Sequence, residues 1–295
     1  MKEKNFGPIR FLYGEKNGRY PFCHSLFIDG AGVLIDPACN REGLIRIKEN
    51  HHVKKIWLSH WHEDHIMFLD LFEDLPLFIS EPDAPPLSDV ELFLDAYGII
   101  DEDFRSHWRQ ILRDQFHFRP RKPSRYLRGG ETIQLGAVTA DVIHTPGHTP
   151  GHLSFYFREP GILFMGDYDL TPFGPWYGDR DSSLEETIAS VTRLRQIPAR
   201  VWIACHEKGL FEEDPGAIWD RYLDVIWQRE ETLLRLLNKP RSVDDIINAR
   251  IVYGKPREPQ ALFDFGEWAI MEKHLERLIN KGIVSLKDEN YSRVY

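Results

Sequence analysis

The sequence predicts an α/β fold with a helical insertion and a further helical segment near its C-terminal end. Short apolar runs such as Val33-Leu34-Ile35 and Ile162-Leu163-Phe164 have the length and residue types of buried strands. Polar residues follow several of these runs directly, which is typical of α/β proteins that present a site at strand ends. The 295 residues, 42% of them hydrophobic, suffice for a large domain with a substantial core and a small appendage.

The first part of the chain contains strand and helix patterns in alternation. Residues 25–28 and 33–35, joined by a turn at Asp29-Gly30, predict a hairpin. Asn40 is a candidate cap for a helix that continues to about residue 49. The next apolar run, Ile56-Trp57-Leu58, ends abruptly in Ser59-His60 and predicts a strand that delivers polar side chains at its end.

Residues 66–128 have a mainly helical pattern, which predicts an inserted cap rather than further sheet. The strand pattern returns at residue 132. The later strands are predicted at 133–135, 138–143, 153–157, 162–164 and 201–203. A helix over residues 184–195 is predicted between the last two, with Ser182 or Ser183 as its cap.

The turn Asp214-Pro215-Gly216 predicts a boundary between a domain at residues 1–214 and a second one at 215–295. The second part contains helical patterns at 218–237, 242–248 and 268–280 and a candidate hairpin after residue 282. Three helices and a hairpin describe a winged-helix-like unit. Its charges are balanced, which favours a packing or dimerisation module, or a wall of the active site, over a DNA reader.

Net charge, cysteine content and the length of the apolar runs argue against several classes of function. The net charge of −9 argues against broad, nonspecific binding to nucleic acid. Three widely separated cysteines do not form a disulfide framework and predict free thiols in a reducing compartment. The longest apolar runs are about half of the roughly 20 residues that span a bilayer. We therefore expect a cytoplasmic protein that acts without a membrane.

Histidines are concentrated in short stretches that follow predicted strands. The segment His60-Trp61-His62-Glu63-Asp64-His65 places three imidazoles and a carboxylate within six residues. In a loop all of them can turn toward one centre, and this donor set suits zinc, iron or manganese.

Three later stretches repeat this pattern of ligand-type residues at strand ends. His148 lies in a turn rich in proline and glycine, Asp167 follows Met165-Gly166, and His206 follows Cys205. Four strand ends with such residues are unlikely to arise by chance, so we expect the side chains to meet at one metal centre.

The combined motif resembles the metallo-β-lactamase superfamily over roughly residues 6–210. The resemblance implies a four-layer αββα sandwich with metals at one edge of the sheets. It implies two divalent metal ions, with zinc favoured and iron or manganese as alternatives. Carried over by position, His60, His62 and His148 hold one ion, Asp64, His65 and His206 hold the other, and Asp167 bridges both.

The chemistry implied by the resemblance is hydrolysis by a metal-bridging hydroxide between two cations about 3.5–4 Å apart. Asp64 is the candidate catalytic residue, which orients the hydroxide and carries a proton to the leaving group. Asp36 follows the strand at 33–35 and is the candidate acid that supports a ligand imidazole from behind, with a plain turn aspartate as the alternative.

A basic stretch at residues 105–128 contains eight lysines and arginines and a single acidic residue, Asp114. If the inserted cap overhangs the metals, this stretch can neutralise a phosphate or carboxylate of the substrate. Its candidate substrate-binding residues are Arg119, Arg121, Lys122 and Arg125. The alternative is a solvated helix face.

Several functions stay open at this point. Hydrolysis of a thioester or another activated acyl compound is favoured, with a small and anionic substrate. The alternatives are a phosphodiesterase or ribonuclease, a non-haem iron redox enzyme, and a DNA-binding regulator with a structural metal site. The C-terminal part is similar to the winged-helix tail of the β-lactamase-like protein 2 group, which keeps nucleic acid and a homodimer among the alternatives.

Overall fold

The computed structural model of the protein describes residues 2–294 and contains two β-sheets packed face to face. Met1 and Tyr295, which end the two predicted domains, lie outside the described residues. None of the helices within residues 2–294 combines the length and apolar character needed to cross a lipid bilayer.

The first sheet contains seven strands that follow the order of the chain. These are β1 (Glu3–Phe6), β2 (Ile9–Leu12), β3 (Ser25–Ile28), β4 (Val33–Ile35), β5 (Lys55–Trp57), β6 (Leu77–Ile79) and β7 (Arg125–Tyr126). The first four are antiparallel neighbours, whereas β4 to β7 are parallel to one another.

The second sheet contains six strands in the order β13-β12-β11-β10-β9-β8. Their bounds are β8 (Thr132–Leu135), β9 (Val138–His144), β10 (Leu153–Phe157), β11 (Ile162–Phe164), β12 (Val201–Ile203) and β13 (Leu210–Phe211). The neighbours β11 and β12 are parallel, so both end at the same edge of the sheet.

Helices cover the outer faces and connect the strands. They are α1 (Arg41–Asn50), α2 (Glu63–Ile66), α3 (Pro85–Ser88), α4 (Val90–Tyr97), α5 (Glu102–Asp114), α6 (Leu184–Arg195), α7 (Ala217–Leu236), α8 (Val243–Asn248) and α9 (Gln260–Asn280). Asn40 caps α1 by accepting from the Gly43 N–H at 2.7 Å, and Ser183 caps α6, as predicted.

The hydrophobic core lies between the two sheets. Trp57 of β5 contacts Phe155 of β10 with ring centroids 5.3 Å apart. Helix α1 buries Leu44 against the first sheet, and α6 buries Val191 and Leu194 against the second. Central strands such as β3 and β4 are buried along their whole length, and the αββα layering implied by the resemblance is confirmed.

The inserted segment differs from the prediction of a purely helical cap at residues 66–128. Helices α3, α4 and α5 are present, but β6 and β7 extend the first sheet on either side of them. Neither strand was predicted, because β6 lies in a stretch with a mainly helical pattern and both residues of β7 are exposed. Strands β1, β2 and β13 were also missed, and each has four residues or fewer.

The C-terminal segment contains the three predicted helices and the hairpin β14 (Val284–Lys287) and β15 (Asn290–Arg293). Helix α9 begins at Gln260, eight residues before its predicted start at 268. The segment shares a hydrophobic cluster with the preceding domain, in which Ile226 and Ile270 pack with Tyr177 and Leu184. The segment is therefore attached through an apolar interface, while its likeness to a winged helix stays a prediction.

His24 is buried between two glycine turns. Its Nδ1 accepts a hydrogen bond from the Gly14 N–H at 2.8 Å, and its Nε2 lies 3.0 Å from the Glu207 carbonyl oxygen, to which it donates. A Cβ at Gly18 or Gly209 would come within 2.6 and 2.2 Å of the imidazole, so both turns depend on glycine. The ring therefore joins two loops in its neutral form.

We expect this histidine to make stability depend on pH. Burial lowers the pKa of His24 to about 4, whereas the unfolded ring titrates near 6.5. Between these values the unfolded chain binds the extra proton, so stability falls as the pH drops through this window, by on the order of 3 kcal/mol for this group.

The measurement is urea unfolding of the chelator-treated protein from pH 7.5 to 4. The His24→Gln variant is expected to lose stability with falling pH less steeply than the parent. His107→Gln, at an exposed position, is the control and should follow the parent. Parallel curves for the parent and His24→Gln would contradict the assignment.

Candidate metal centre

The predicted ligand residues lie at strand ends that meet at one edge of the two sheets. His60 and His62 follow β5 in the first sheet, and the same segment continues into α2. His148, Asp167 and His206 follow β9, β11 and β12 of the second sheet. Asp64 and His65 lie within the short helix α2, where the sequence predicted a loop. All seven side chains are buried or nearly so.

Two glycine turns fix the ligands of the second sheet. Gly166, which precedes Asp167, has a φ of 61°, and a Cβ there would lie 2.4 Å from His152 Nε2. Gly147, which precedes His148, has a φ of 125°, and a Cβ would lie 2.2 Å from the Thr187 backbone nitrogen. Because only glycine fits both positions, these turns bring the ligand residues close to the neighbouring elements.

Each of the five imidazoles uses one ring nitrogen for a contact outside the cluster and directs the other toward it. The outer contacts are His60 with Ser59 Oγ at 3.0 Å, His62 with Asp179 Oδ2 at 2.7 Å, His65 with Asp36 Oδ2 at 3.1 Å, His148 with Trp176 O at 3.1 Å and His206 with Gly18 O at 2.8 Å. Such outer acceptors select the tautomer whose free nitrogen binds a metal.

The inward-facing atoms form two groups that lie next to each other. One group consists of His60, His62, His148 and Asp167, and the other of Asp64, His65 and His206. Asp167 lies between them, since its Oδ1 is 2.9 Å from His65 Nε2 and its Oδ2 is 3.4 Å from His148 Nε2. The grouping of these side chains matches the two sets implied by the resemblance, and their assignment as metal ligands stays a prediction.

The donor set fits a pair of divalent cations. His65 Nε2 and Asp167 Oδ1, both buried, face the centre of the cluster and lie 2.9 Å from each other. Burial lowers the pKa of His60 well below its usual value and that of His148 to about 4, whereas nearby carboxylates outweigh burial and raise the pKa of His62, His65 and His206. Because metals bind neutral imidazoles, cations in the cluster would replace the protons that these three rings otherwise hold.

Asp36 lies directly behind the cluster, where the sequence placed a supporting acid. It is fully buried and accepts from the Ser59 N–H at 2.8 Å, from the Ser59 hydroxyl at 2.7 Å and from His65 Nδ1 at 3.1 Å. Its φ of 50° lies in the left-handed region, which is uncommon for a residue other than glycine. These contacts favour the supporting role over a plain turn aspartate.

Two further carboxylates at the site were missed by the sequence analysis. Asp179 contacts His62 and accepts from the Trp176 indole N–H at 2.9 Å, but it lies in an irregular segment with no signal in its spacing. Glu63 is buried and accepts hydrogen bonds from the hydroxyls of Tyr20 and Tyr97. Because Glu63 lies inside the histidine motif, its position in the sequence could have identified it as a residue of the site.

The cavity lining does not support the predicted substrate-binding role of Arg119, Arg121, Lys122 and Arg125. None of these four is among the described residues that line the cavity above the cluster. Arg119 pairs with Glu73, Arg125 pairs with Glu131, and Arg121 donates to the carbonyl oxygen of Phe72. Lys122 is exposed.

Two further arginines of the basic stretch pair with acidic residues outside it. Arg105 pairs with Glu91 at 2.7 Å and with Asp95 at 2.8 Å, and Arg109 pairs with Glu91 and Glu102. The excess of positive charge in this part of the sequence is therefore offset in part by acidic residues of neighbouring segments.

A cavity of about 360 Å³ opens over the cluster. His62, Asp64, His148, Asp167 and His206 form part of its lining. The C-terminal segment forms another part through Tyr253, Leu262, Phe263, Phe265 and Gly266. The segment is therefore a wall of the cavity, one of the roles that its balanced charge favoured.

Comparison with known proteins agrees with this geometry. The metallo-beta-lactamase superfamily profile matches residues 19–206. A hydroxyacylglutathione hydrolase of Synechococcus sp. is 42% identical over 84 residues, which span 28% of this chain and only 32% of that protein. A hydroxyacylglutathione hydrolase of Thermosynechococcus vestitus is 27% identical over 218 residues, covering 68% of this chain and 72% of that protein.

One solved structure is similar to this protein over nearly the whole length of both chains. A metallo-beta-lactamase family protein of Thermus thermophilus has a TM-score of 0.71 and 26% sequence identity, covering 97% of this chain and 99% of that one. The C-terminal segment is thus included in the structural likeness. The profile match, the fold and the clustered ligands together show that the chain belongs to the metallo-beta-lactamase superfamily of metal-dependent hydrolases.

Proposed function

We propose that the protein hydrolyses a thioester or another activated acyl compound at a centre of two divalent metal ions. The observation that carries the proposal is the cluster itself, in which five imidazoles direct one nitrogen inward around Asp167 beneath an open cavity. The relatives named hydroxyacylglutathione hydrolase support the acyl substrate.

The residues divide into two ligand sets. His60, His62 and His148 would hold one ion and Asp64, His65 and His206 the other, with Asp167 shared between them. When bound, such a pair of ions supplies Lewis acidity and a nucleophilic hydroxide at neutral pH, and zinc fits this donor set best.

Asp64 is the candidate for proton transfer. Its Oδ2 lies 3.3 Å from His206 Nε2, and its side chain also lines the cavity. It therefore contacts both the metal cluster and the space available to a substrate, from where it can orient water and accept a proton. Asp36 and Asp179 hold His65 and His62 from behind.

The lining of the cavity favours an acyl substrate over a phosphodiester. Arg19 is the one lysine or arginine among the described residues that line it, while Glu63, Asp64, Asp167 and Asp169 add negative charge. Nucleic-acid sites normally contain many basic side chains along the backbone. A small-molecule substrate and a cytoplasmic location are part of the proposal, and the three buried, unbridged cysteines are consistent with that location.

The proposal is tested by metal analysis and a substrate panel. We expect about two transition-metal ions per chain, and hydrolysis of S-acyl-N-acetylcysteamine thioesters that chelation abolishes and added zinc restores. Bis-p-nitrophenyl phosphate, a short RNA and a persulfide are assayed in parallel on the zinc- and iron-loaded forms. Turnover of phosphodiesters alone, or oxygen consumption with the persulfide alone, would reject the acyl hydrolase.

A further inference from the structure

We infer that the substrate carries a bulky apolar acyl group, aromatic or aliphatic, which binds against a wall of aromatic rings in the cavity. The inference rests on the proposed function, because the group in question is the acyl part of the hydrolysed compound. It specifies the substrate class, and it assigns the specificity of the site to the C-terminal segment.

Aromatic rings line the cavity, beginning next to the metal cluster. Tyr97 stacks on the ligand ring of His62, with centroids 5.3 Å apart and planes 10° from parallel. Trp108 lies 5.9 Å beyond Tyr97. Farther out, Phe265 of α9 packs on Phe104 of α5 at 5.5 Å. An acyl group bound near His62 would therefore meet ring faces and edges.

A second group of rings also lines the cavity. Tyr253 lies 5.9 Å from Phe173 and 4.9 Å from Phe263, and all three line the cavity. Two of these rings come from the C-terminal segment, and Arg229 of that segment donates to the Phe173 carbonyl oxygen at 2.7 Å. The segment thus supplies this wall and also fixes the loop that completes it.

The wall is held in place before any ligand binds. The Glu267 carboxylate accepts from the backbone N–H groups of Val252 at 2.8 Å and Tyr253 at 3.2 Å. A Cβ at Gly266 would lie 2.4 Å from the Tyr253 hydroxyl, so the ring packs closely on the helix backbone. A preformed apolar wall binds apolar groups without the cost of ordering side chains.

The charged groups of the cavity are compatible with an apolar acyl group. Among the lining residues within 2–294, Arg19 is the one guanidinium, and Asp64 and Asp167 are carboxylates that would hold the cations. Arg19 could pair with one anionic function of the thiol leaving group, while the aromatic rings are left for the acyl group. Burying a phenyl ring here is expected to improve binding roughly 10- to 100-fold over a methyl group.

The kinetic test compares acetyl and phenylacetyl thioesters of N-acetylcysteamine. We expect kcat/KM for the phenylacetyl compound to exceed that for the acetyl compound by at least about tenfold. Phe263→Ala should lower this ratio toward one. Trp227→Ala, on the exposed face of α7 and outside the cavity lining, is the matched control and should keep the parental ratio.

A binding measurement separates this inference from the proposed function. Calorimetry with phenylacetate and acetate on the zinc-loaded and chelator-treated protein is expected to show tighter binding of phenylacetate, weakened by Phe263→Ala. Hydrolysis of both thioesters at equal efficiency, with equal binding of the acids, would overturn the inference and leave the acyl hydrolase intact. Binding of phenylacetate without hydrolysis of any thioester would support the apolar subsite and reject the proposed reaction.

Discussion

Asp167→Ala is expected to lose at least one of the two metal ions and to lower kcat/KM roughly a thousandfold or more. Asp167 lies between the two ligand groups, with Oδ1 3.3 Å from His206 Nε2 and Oδ2 3.8 Å from His60 Nε2. Without it, each group keeps three neutral or singly charged donors, and nothing offsets the repulsion between two adjacent cations.

The measurement is elemental analysis of the purified variant combined with thioester kinetics. Asp181→Ala removes an exposed aspartate from a nearby loop and should keep the parental metal content. Circular dichroism confirms that both variants are folded. A fully loaded and active Asp167→Ala protein would show that the carboxylate is not a bridging ligand.

Asp36→Ala is expected to destabilise the protein by about 3 kcal/mol or more. The substitution removes the acceptor for three buried donors, the Ser59 N–H, the Ser59 hydroxyl and His65 Nδ1. Each donor left unpaired costs about 1–3 kcal/mol. His65 also loses the contact that fixes its orientation, so the affinity of its metal should fall about 10- to 100-fold.

Two comparisons make this prediction specific. Asp36→Asn keeps an oxygen for the Ser59 N–H but cannot accept from all three donors, so it should recover part of the stability while metal affinity stays low. Asp103→Ala, at an exposed helix position, should change neither quantity. Denaturant unfolding and metal competition with a chelator provide the readouts. Parental metal affinity in Asp36→Asn would assign Asp36 to the fold alone.

The residues of the cluster could be predicted because they are tied to local signals, and their roles as metal ligands stay a prediction. His60, His148, Asp167 and His206 each come shortly after a short apolar strand. The carboxyl ends of parallel strands lie at the same edge of a sheet. The order of strands, which decides which ends are neighbours, was available only through the family resemblance.

The contacts that could not be predicted join residues that lie far apart in the sequence. Asp179 contacts His62 across 117 residues, and no periodicity links them. Arg119 appeared available for a substrate because its partner Glu73 lies far earlier in the chain, outside the basic stretch. The strands β6 and β7 are defined by their neighbours in the sheet and lack a pattern of their own.

The contribution of α9 to the cavity has a consequence for how substrate preference can change. All seven candidate ligand residues precede position 207, whereas Tyr253, Leu262, Phe263, Phe265 and Gly266 of the cavity lining come later in the chain. Metal binding and acyl-group selection would therefore be encoded in separate segments. Substitutions in α9 and in the loop before it should alter substrate preference while metal content stays at the parental level.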